Sequence, residues 1–178
     1  NDTVKDISTV RLSVFTPGAG DELPFETDLS VQSHETFQLV NIDDGLLEIY
    51  APNLSDQDKQ ALNNGTGCLV KNPIPFSYGD TPVEHTELSI GDTIQLGSRA
   101  LRVIGIIDTP ITINNEGFTN GVQLIVNEEI YCSLMQDDTY SEIYLTLQDG
   151  VDTNSFESIL DDWCSKYPGA HWLSYLES

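Results

Sequence analysis

Leu88-Ser89-Ile90-Gly91-Asp92-Thr93-Ile94-Gln95-Leu96-Gly97-Ser98-Arg99-Ala100-Leu101-Arg102-Val103-Ile104-Gly105-Ile106-Ile107-Asp108 is the stretch on which the fold reading turns. Ile90-Gly91-Asp92 reads as a turn, because glycine reaches backbone conformations closed to other residues and Asp bonds its own backbone nearby. Thr93 to Leu96 then reads as a strand, and Gly97-Ser98 as the two-residue connection of a hairpin. Leu101 to Ile107 returns as the apolar partner strand. The stretch therefore predicts a compact β-rich unit.

Downstream, after a loop rich in asparagine (Asn114, Asn115, Asn120), Val122 to Val126 predicts another strand. Asn127 caps a helix whose Ile130, Tyr131 and Leu134 follow the 3, 4 spacing. Ser141 to Leu147 predicts a strand with Ile143, Leu145 and Leu147 on one face. Asp149-Gly150 is a turn, and Asp152 or Thr153 caps the next helix. Phe156, Ile159, Leu160, Trp163, Cys164 and Tyr167 form a continuous helical stripe, which at this spacing reads as core. Pro168-Gly169 stops the helix, and Ala170 to Tyr175 runs out as a strand, so the segment resembles a βαβ unit.

Upstream, Val10, Leu12 and Val14 alternate with Arg11, Ser13 and Phe15, which predicts a strand with one buried face. Thr36 to Ile42 is a second strand; Asp43-Asp44-Gly45 reads as a turn into Leu46 to Tyr50, a plausible hairpin. Ser55 caps a short helix, supported by Asp56 and Asp58 at the positive end of the dipole, and Asn63-Asn64-Gly65 stops it. Cys68 to Val70 is a strand before a loop carrying Pro73, Pro75, Gly79 and Pro82. The expected fold class is α+β. A ferredoxin-like βαβ layer would come from residues 1–87 and 127–178, with a β-rich inserted subdomain over 88–126.

The 178 residues carry 29 Asp and Glu against 7 Lys and Arg, a net charge of −22. No nucleic acid is expected as a partner, because phosphate backbones are gripped by clustered cations. Anionic membrane surfaces are excluded for the same reason. Hydrophobic residues make up 39% of the chain, too many for a disordered acidic tail. No basic-then-apolar leader and no apolar run of about 20 residues is present. A soluble domain is expected, and a start at Asn1 fits a fragment excised from a longer protein.

Chemistry-bearing patterns are few. Cys68, Cys132 and Cys164 are far apart and lack CxxC spacing; they read as reduced thiols, with one disulfide plus a free thiol as the alternative. His34, His85 and His171 lie far from one another. His85 sits between Glu84 and Glu87, which could raise its pKa or add to a metal site, but these neighbours do not converge; it reads as a solvated loop residue. His171 is expected to pack in the final strand. Asp43-Asp44 and Asp137-Asp138 read as solvated turn acids rather than calcium ligands, and no EF-hand spacing occurs. Asn53-Leu54-Ser55 and Asn64-Gly65-Thr66 match the glycosylation pattern but read as a cap and a turn. No GxSxG, GxxxxGK[ST] or GxGxxG pattern occurs. No catalytic, cofactor-binding or metal-binding residue is assigned, and an enzyme is not expected.

The same Leu88–Leu96 and Leu101–Asp108 segments resemble a signature of MacB/FtsX-type ABC transporter permeases. The resemblance continues through Gly121 to Val126, through Ser141 to Leu145, and through Asp149-Gly150-Val151-Asp152. Upstream, Leu54 to Asp58 and Gly67 to Pro73 are similar to a helix-then-strand segment of Gram-positive members. The first 45 residues or so depart from the pattern. The resemblance implies a non-catalytic domain at the extracellular face of a bacterial membrane, binding or sensing a substrate or partner and transmitting ATP-driven movement. The implied partners are the membrane-embedded remainder of the same permease, a second permease copy and a cytoplasmic ATPase subunit. A cationic peptide or another exported substrate is the implied ligand. It also implies chain ends lying close together. The alternatives are a secreted or surface-attached acidic module binding calcium or carbohydrate, and a small acidic enzyme.

Overall fold

A computed structural model describes residues 3–113 and 121–174. The described residues form nine strands: β1 (Val4–Phe15), β2 (Phe37–Ile42), β3 (Gly67–Lys71), β4 (Ser77–Tyr78), β5 (Thr81–Pro82), β6 (Thr93–Leu96), β7 (Arg99–Ile106), β8 (Val122–Ile125) and β9 (Glu142–Leu147). The α-helices are α1 (Asp44–Tyr50), α2 (Asp56–Asn63), α3 (Glu128–Met135) and α4 (Thr153–Lys166). The class is α+β, as expected. The chain divides into two compact units, residues 8–144 and residues 1–7 with 145–178.

Seven strands form one mixed sheet in the order β6-β7-β3-β8-β2-β1-β9, and β4 pairs with β5 separately. β6 and β7 are antiparallel, with Leu96 opposite Arg99 across Gly97-Ser98, the hairpin the sequence indicates. β2 runs parallel to β8, and β3 parallel to β7. Strands from residues 88–126 thus lie in the same sheet as β2 and β3.

Both faces of the sheet in residues 8–144 are covered, which explains why β3 and β8 read as near-continuous apolar runs. Phe37, Leu39, Cys68, Val70, Leu101, Val122 and Leu124 pack on one side with Ile130 and Tyr131 of α3. Val40, Leu69 and Ile125 pack on the other with Leu47 of α1 and Leu62 of α2. Gln123 pins the segment after β7 to the sheet. It accepts from Ile111 N at 2.9 Å and donates to Ile111 O at 2.7 Å.

Several expectations are corrected. Leu46 to Tyr50 is a helix, not a returning strand: Asp43 caps it by accepting from Leu46 N at 3.1 Å, and Leu46, Leu47 and Tyr50 join the core at helical spacing. Asp43-Asp44-Gly45 is a helix start because its first acid accepts amides and its second suits the dipole. β1 is covered on both faces only at Val10 and Arg11, which are both buried, whereas Val14, expected on the buried face, is exposed. On β9, Tyr144 reaches the core cluster, whereas Ile143 and Leu145 are exposed. Residues 170–174 form no strand, and Tyr175 lies outside the described residues, so no βαβ closure is described. The α4 stripe is not core, since no residue of that helix is buried. The Asn114, Asn115 and Asn120 loop also lies outside the described residues.

Candidate functional site

In residues 8–144, the middle of β1, the ends of β2 and β8 and the starts of α1 and α3 meet around a cleft of about 310 Å³. Thr9 and Arg11 enter from β1, Asn41 from the end of β2, and Asp43 and Asp44 from the start of α1. Asn127 and Glu128 stand at the start of α3, and Leu47, Leu62 and Ile125 supply apolar walls. The three strands meet there because β8, β2 and β1 are neighbours in the sheet, with Val10 in mid-β1 opposite Ile42 at the end of β2.

Arg11 is the organising residue, with only 4% of its surface exposed. Its Nη1 donates to Asn41 Oδ1 at 3.0 Å, its Nη2 to Glu128 Oε1 at 3.0 Å and its Nε to Asp138 O at 3.1 Å. The guanidinium carbon lies 4.0 Å from the centre of the Tyr140 ring, a cation–π arrangement. Burial pulls the Arg11 pKa down, but Cys132, Tyr140 and Glu128 outweigh it and hold the value above its ordinary level. Asn41 in turn donates to Val126 O at 3.1 Å. Asp43 caps α1 by accepting from Leu46 N at 3.1 Å and also accepts from Thr9 N at 3.1 Å, and Asn127 caps α3 by accepting from Ile130 N at 2.8 Å. Arg11, Glu128 and Asp43, three of the charged groups lining the cleft, are thus spent on partners within the protein.

A second polar cluster is built on Glu35, 1% exposed. It accepts from Thr86 N at 2.6 Å and Gln32 N at 3.1 Å, tying the segment before β2 to the one before β6.

Residues singled out in the sequence do not assemble. His34 is exposed with its ring against Phe76, and His171 is exposed rather than packed. His85 stands 3.6 Å from the Glu87 carboxylate, a local pair on an open surface. Asp137 accepts from Thr139, which lowers its pKa, and Asp43 serves as a cap. Among the described residues, no three of His, Cys, Asp or Glu are placed to hold a metal ion. The three cysteines are unpaired; Cys68 is buried, and burial pushes its thiol up to about 12. Sequence reading missed the Arg11, Asn41 and Tyr140 grouping. Its available signal was a lone cation in an apolar strand, which needs compensation wherever the strand is covered on both sides.

No protein-family model matches the chain, and no curated protein matches it. Solved structures similar to it include the periplasmic region of MacB from Actinobacillus actinomycetemcomitans, at 12% identity and a TM-score of 0.48, covering 93% of this chain and 69% of that one. The extracellular domain of the noncanonic ABC-type transporter YknZ from Gram-positive bacteria is similar at 13% identity and a TM-score of 0.46, over 88% and 71% of the two chains. A domain assigned to a permease protein of Porphyromonas gingivalis is similar at 13% identity and a TM-score of 0.44, over 93% and 71%.

Proposed function

We propose that this chain is the extracytoplasmic domain of a MacB/FtsX-type ABC transporter permease. In this reading it is non-catalytic, binds or senses a substrate or partner, and relays ATP-driven movement. Its partners are the membrane-embedded remainder of the permease, a second permease copy and a cytoplasmic ATPase.

The observation that carries the reading is the Leu88–Asp108 segment. The three glycines of that segment each hold a position that the local backbone or packing needs. Gly91 has φ +96° and Gly97 φ +59°, both in the left-handed region that favours glycine. Asp92 accepts from Ser89 N at 2.8 Å to close the turn. A Cβ on Gly105 would stand 2.9 Å from the Leu69 side chain. The later matched segments, Gly121 to Val126, Ser141 to Leu145 and Asp149 to Asp152, fall on β8, on β9 and on the turn and cap before α4. No helix among the described residues is long and apolar enough to cross a membrane. Anchoring therefore falls, in this reading, to other parts of a longer protein.

The test is to express the chain from its native reading frame with an epitope inside the β4–β5 loop. The reading expects the epitope in the membrane fraction, cleaved by protease added to intact protoplasts, and co-purifying with an ATPase. Recovery in the soluble fraction, or protection until the protoplasts are lysed, overturns it.

A further inference from the structure

We propose that the cleft around Arg11 is a binding site for a small zwitterion, an α-amino acid with an aliphatic side chain. β2 and β8 are adjacent and parallel, and each runs directly into a helix, β2 into α1 and β8 into α3. The two helices leave on opposite faces of the sheet. Leu47 of α1 joins the core on one side, and Ile130 and Tyr131 of α3 join the core on the other. Parallel neighbours whose connections part in this way leave a crevice beyond their carboxyl ends, which is where open sheets bind ligands. The 310 Å³ cleft lies at this point. Its size is at the small end of the range for ligand sites, about 300–1,000 Å³.

The lining selects the chemistry. Arg11 is buried, yet the carboxylate on its Nη2 belongs to Glu128, whose side chain is 67% exposed. Glu128 therefore stands where a ligand carboxylate would. It can return to water at little cost, because an exposed partner adds little to an ion pair, and an entering carboxylate makes the same charge-assisted bond. Asp44, the fourth charged group of the lining, is exposed at the start of α1 and supplies an acceptor for an ammonium. Thr9 and Arg11 are two residues apart on β1, roughly 7 Å, and Thr9 N binds Asp43, the neighbour of Asp44. The basic and acidic ends of the cleft are thus about as far apart as an α-amino acid reaches with a hydrogen bond at each end. Leu47, Leu62 and Ile125 give its side chain an apolar wall. A plain anion leaves the acidic end unmatched, and a plain cation gains nothing from Arg11. The inference stands on residues 8–144 and does not depend on the permease reading.

The experiment titrates the whole chain, isotope-labelled for heteronuclear NMR, with L-leucine and follows the Arg11 Nε–H and Asn41 side-chain amide resonances. Both should shift and saturate by about 10 mM. Leucinamide, which lacks the carboxylate, and isocaproate, which lacks the ammonium, should each bind roughly tenfold more weakly or worse. Glu128→Ala removes the resident carboxylate and should tighten leucine binding about two- to fivefold. Asp44→Asn should weaken it about threefold or more, while Glu157→Gln, in the other compact unit, leaves it unchanged. Far-UV circular dichroism verifies that each variant is folded. The proposal is overturned if leucine produces no saturable shift, or if either single-charge analogue binds as well as leucine. It is equally overturned if Glu128→Ala binds leucine no tighter or Asp44→Asn binds it no weaker. Failure here leaves the membrane fractionation that tests the permease reading unaffected.

Discussion

Replacing Arg11 with methionine keeps an apolar stem in the cleft floor and removes the guanidinium. Three acceptors lose their donor: Asn41 Oδ1, Asp138 O and Glu128 Oε1. Asn41 is only 6% exposed, and an orphaned buried acceptor costs about 1–3 kcal/mol. The Glu128 side chain is 67% exposed and re-enters water, so its ion pair contributes at most about 1 kcal/mol. Loss of the cation–π contact with partly exposed Tyr140 adds roughly 0.5–1 kcal/mol. Arg11→Met should therefore destabilise residues 8–144 by about 2–4 kcal/mol. Trp163 and Trp172 both lie in the other compact unit, so tryptophan fluorescence would follow the wrong part of the chain. Urea unfolding by far-UV circular dichroism is the suitable assay. Adding Asn41→Leu should cost less than the sum of the two single changes, since replacing both partners removes the orphaned acceptor. A loss under about 0.5 kcal/mol, or strict additivity, would refute the account of Arg11 as the satisfied centre of the cleft.

Three further outcomes are expected. The Cys68 thiol, raised to about 12 in the folded chain, favours folding below its unfolded pKa of about 8.5 and loses that contribution as pH rises toward 12. Cys68→Ala should accordingly flatten the decline in urea stability between about pH 9 and 11, and an unchanged slope would count against it. Gly121→Ala places a Cβ 1.9 Å from Thr36 O, so thermal unfolding should show a loss of more than about 3 kcal/mol, whereas Gly79→Ala, in open space at φ +61°, should cost about 1–2 kcal/mol. Raising sodium chloride should raise the melting temperature by screening a net charge of −22; a falling melting temperature would contradict self-repulsion as the dominant surface term.

Local signals carried most of the fold. Ser55, Asn127 and Asp152 cap α2, α3 and α4 through bonds spanning two or three residues, and Gly97-Ser98 closes a hairpin between neighbours in sequence. Such interactions can be read wherever the residues stand side by side. The cleft could not be read this way, because Arg11 meets Glu128 and Asp138 across 117 and 127 residues. Only the order of strands in the sheet brings them together. The α1 segment failed for a different reason. Asp43-Asp44-Gly45 suits a hairpin turn and a helix start equally, and Thr9 N, which also donates to Asp43, comes from a distant strand. For α4 the helix and its stripe were legible, but periodicity reports that a face is apolar and not what covers it.

The distribution of the cations bears on the acidic balance. Of seven Lys and Arg, Arg11 and Lys71 are buried, whereas Glu35 is the buried acid among the described residues. Three of the other five are clasped by carboxylates: Lys59 by Glu48, Arg99 by Glu129 and Lys166 by Asp162. A phosphate backbone needs several cations free on one face, and burial and pairing leave too few to supply one.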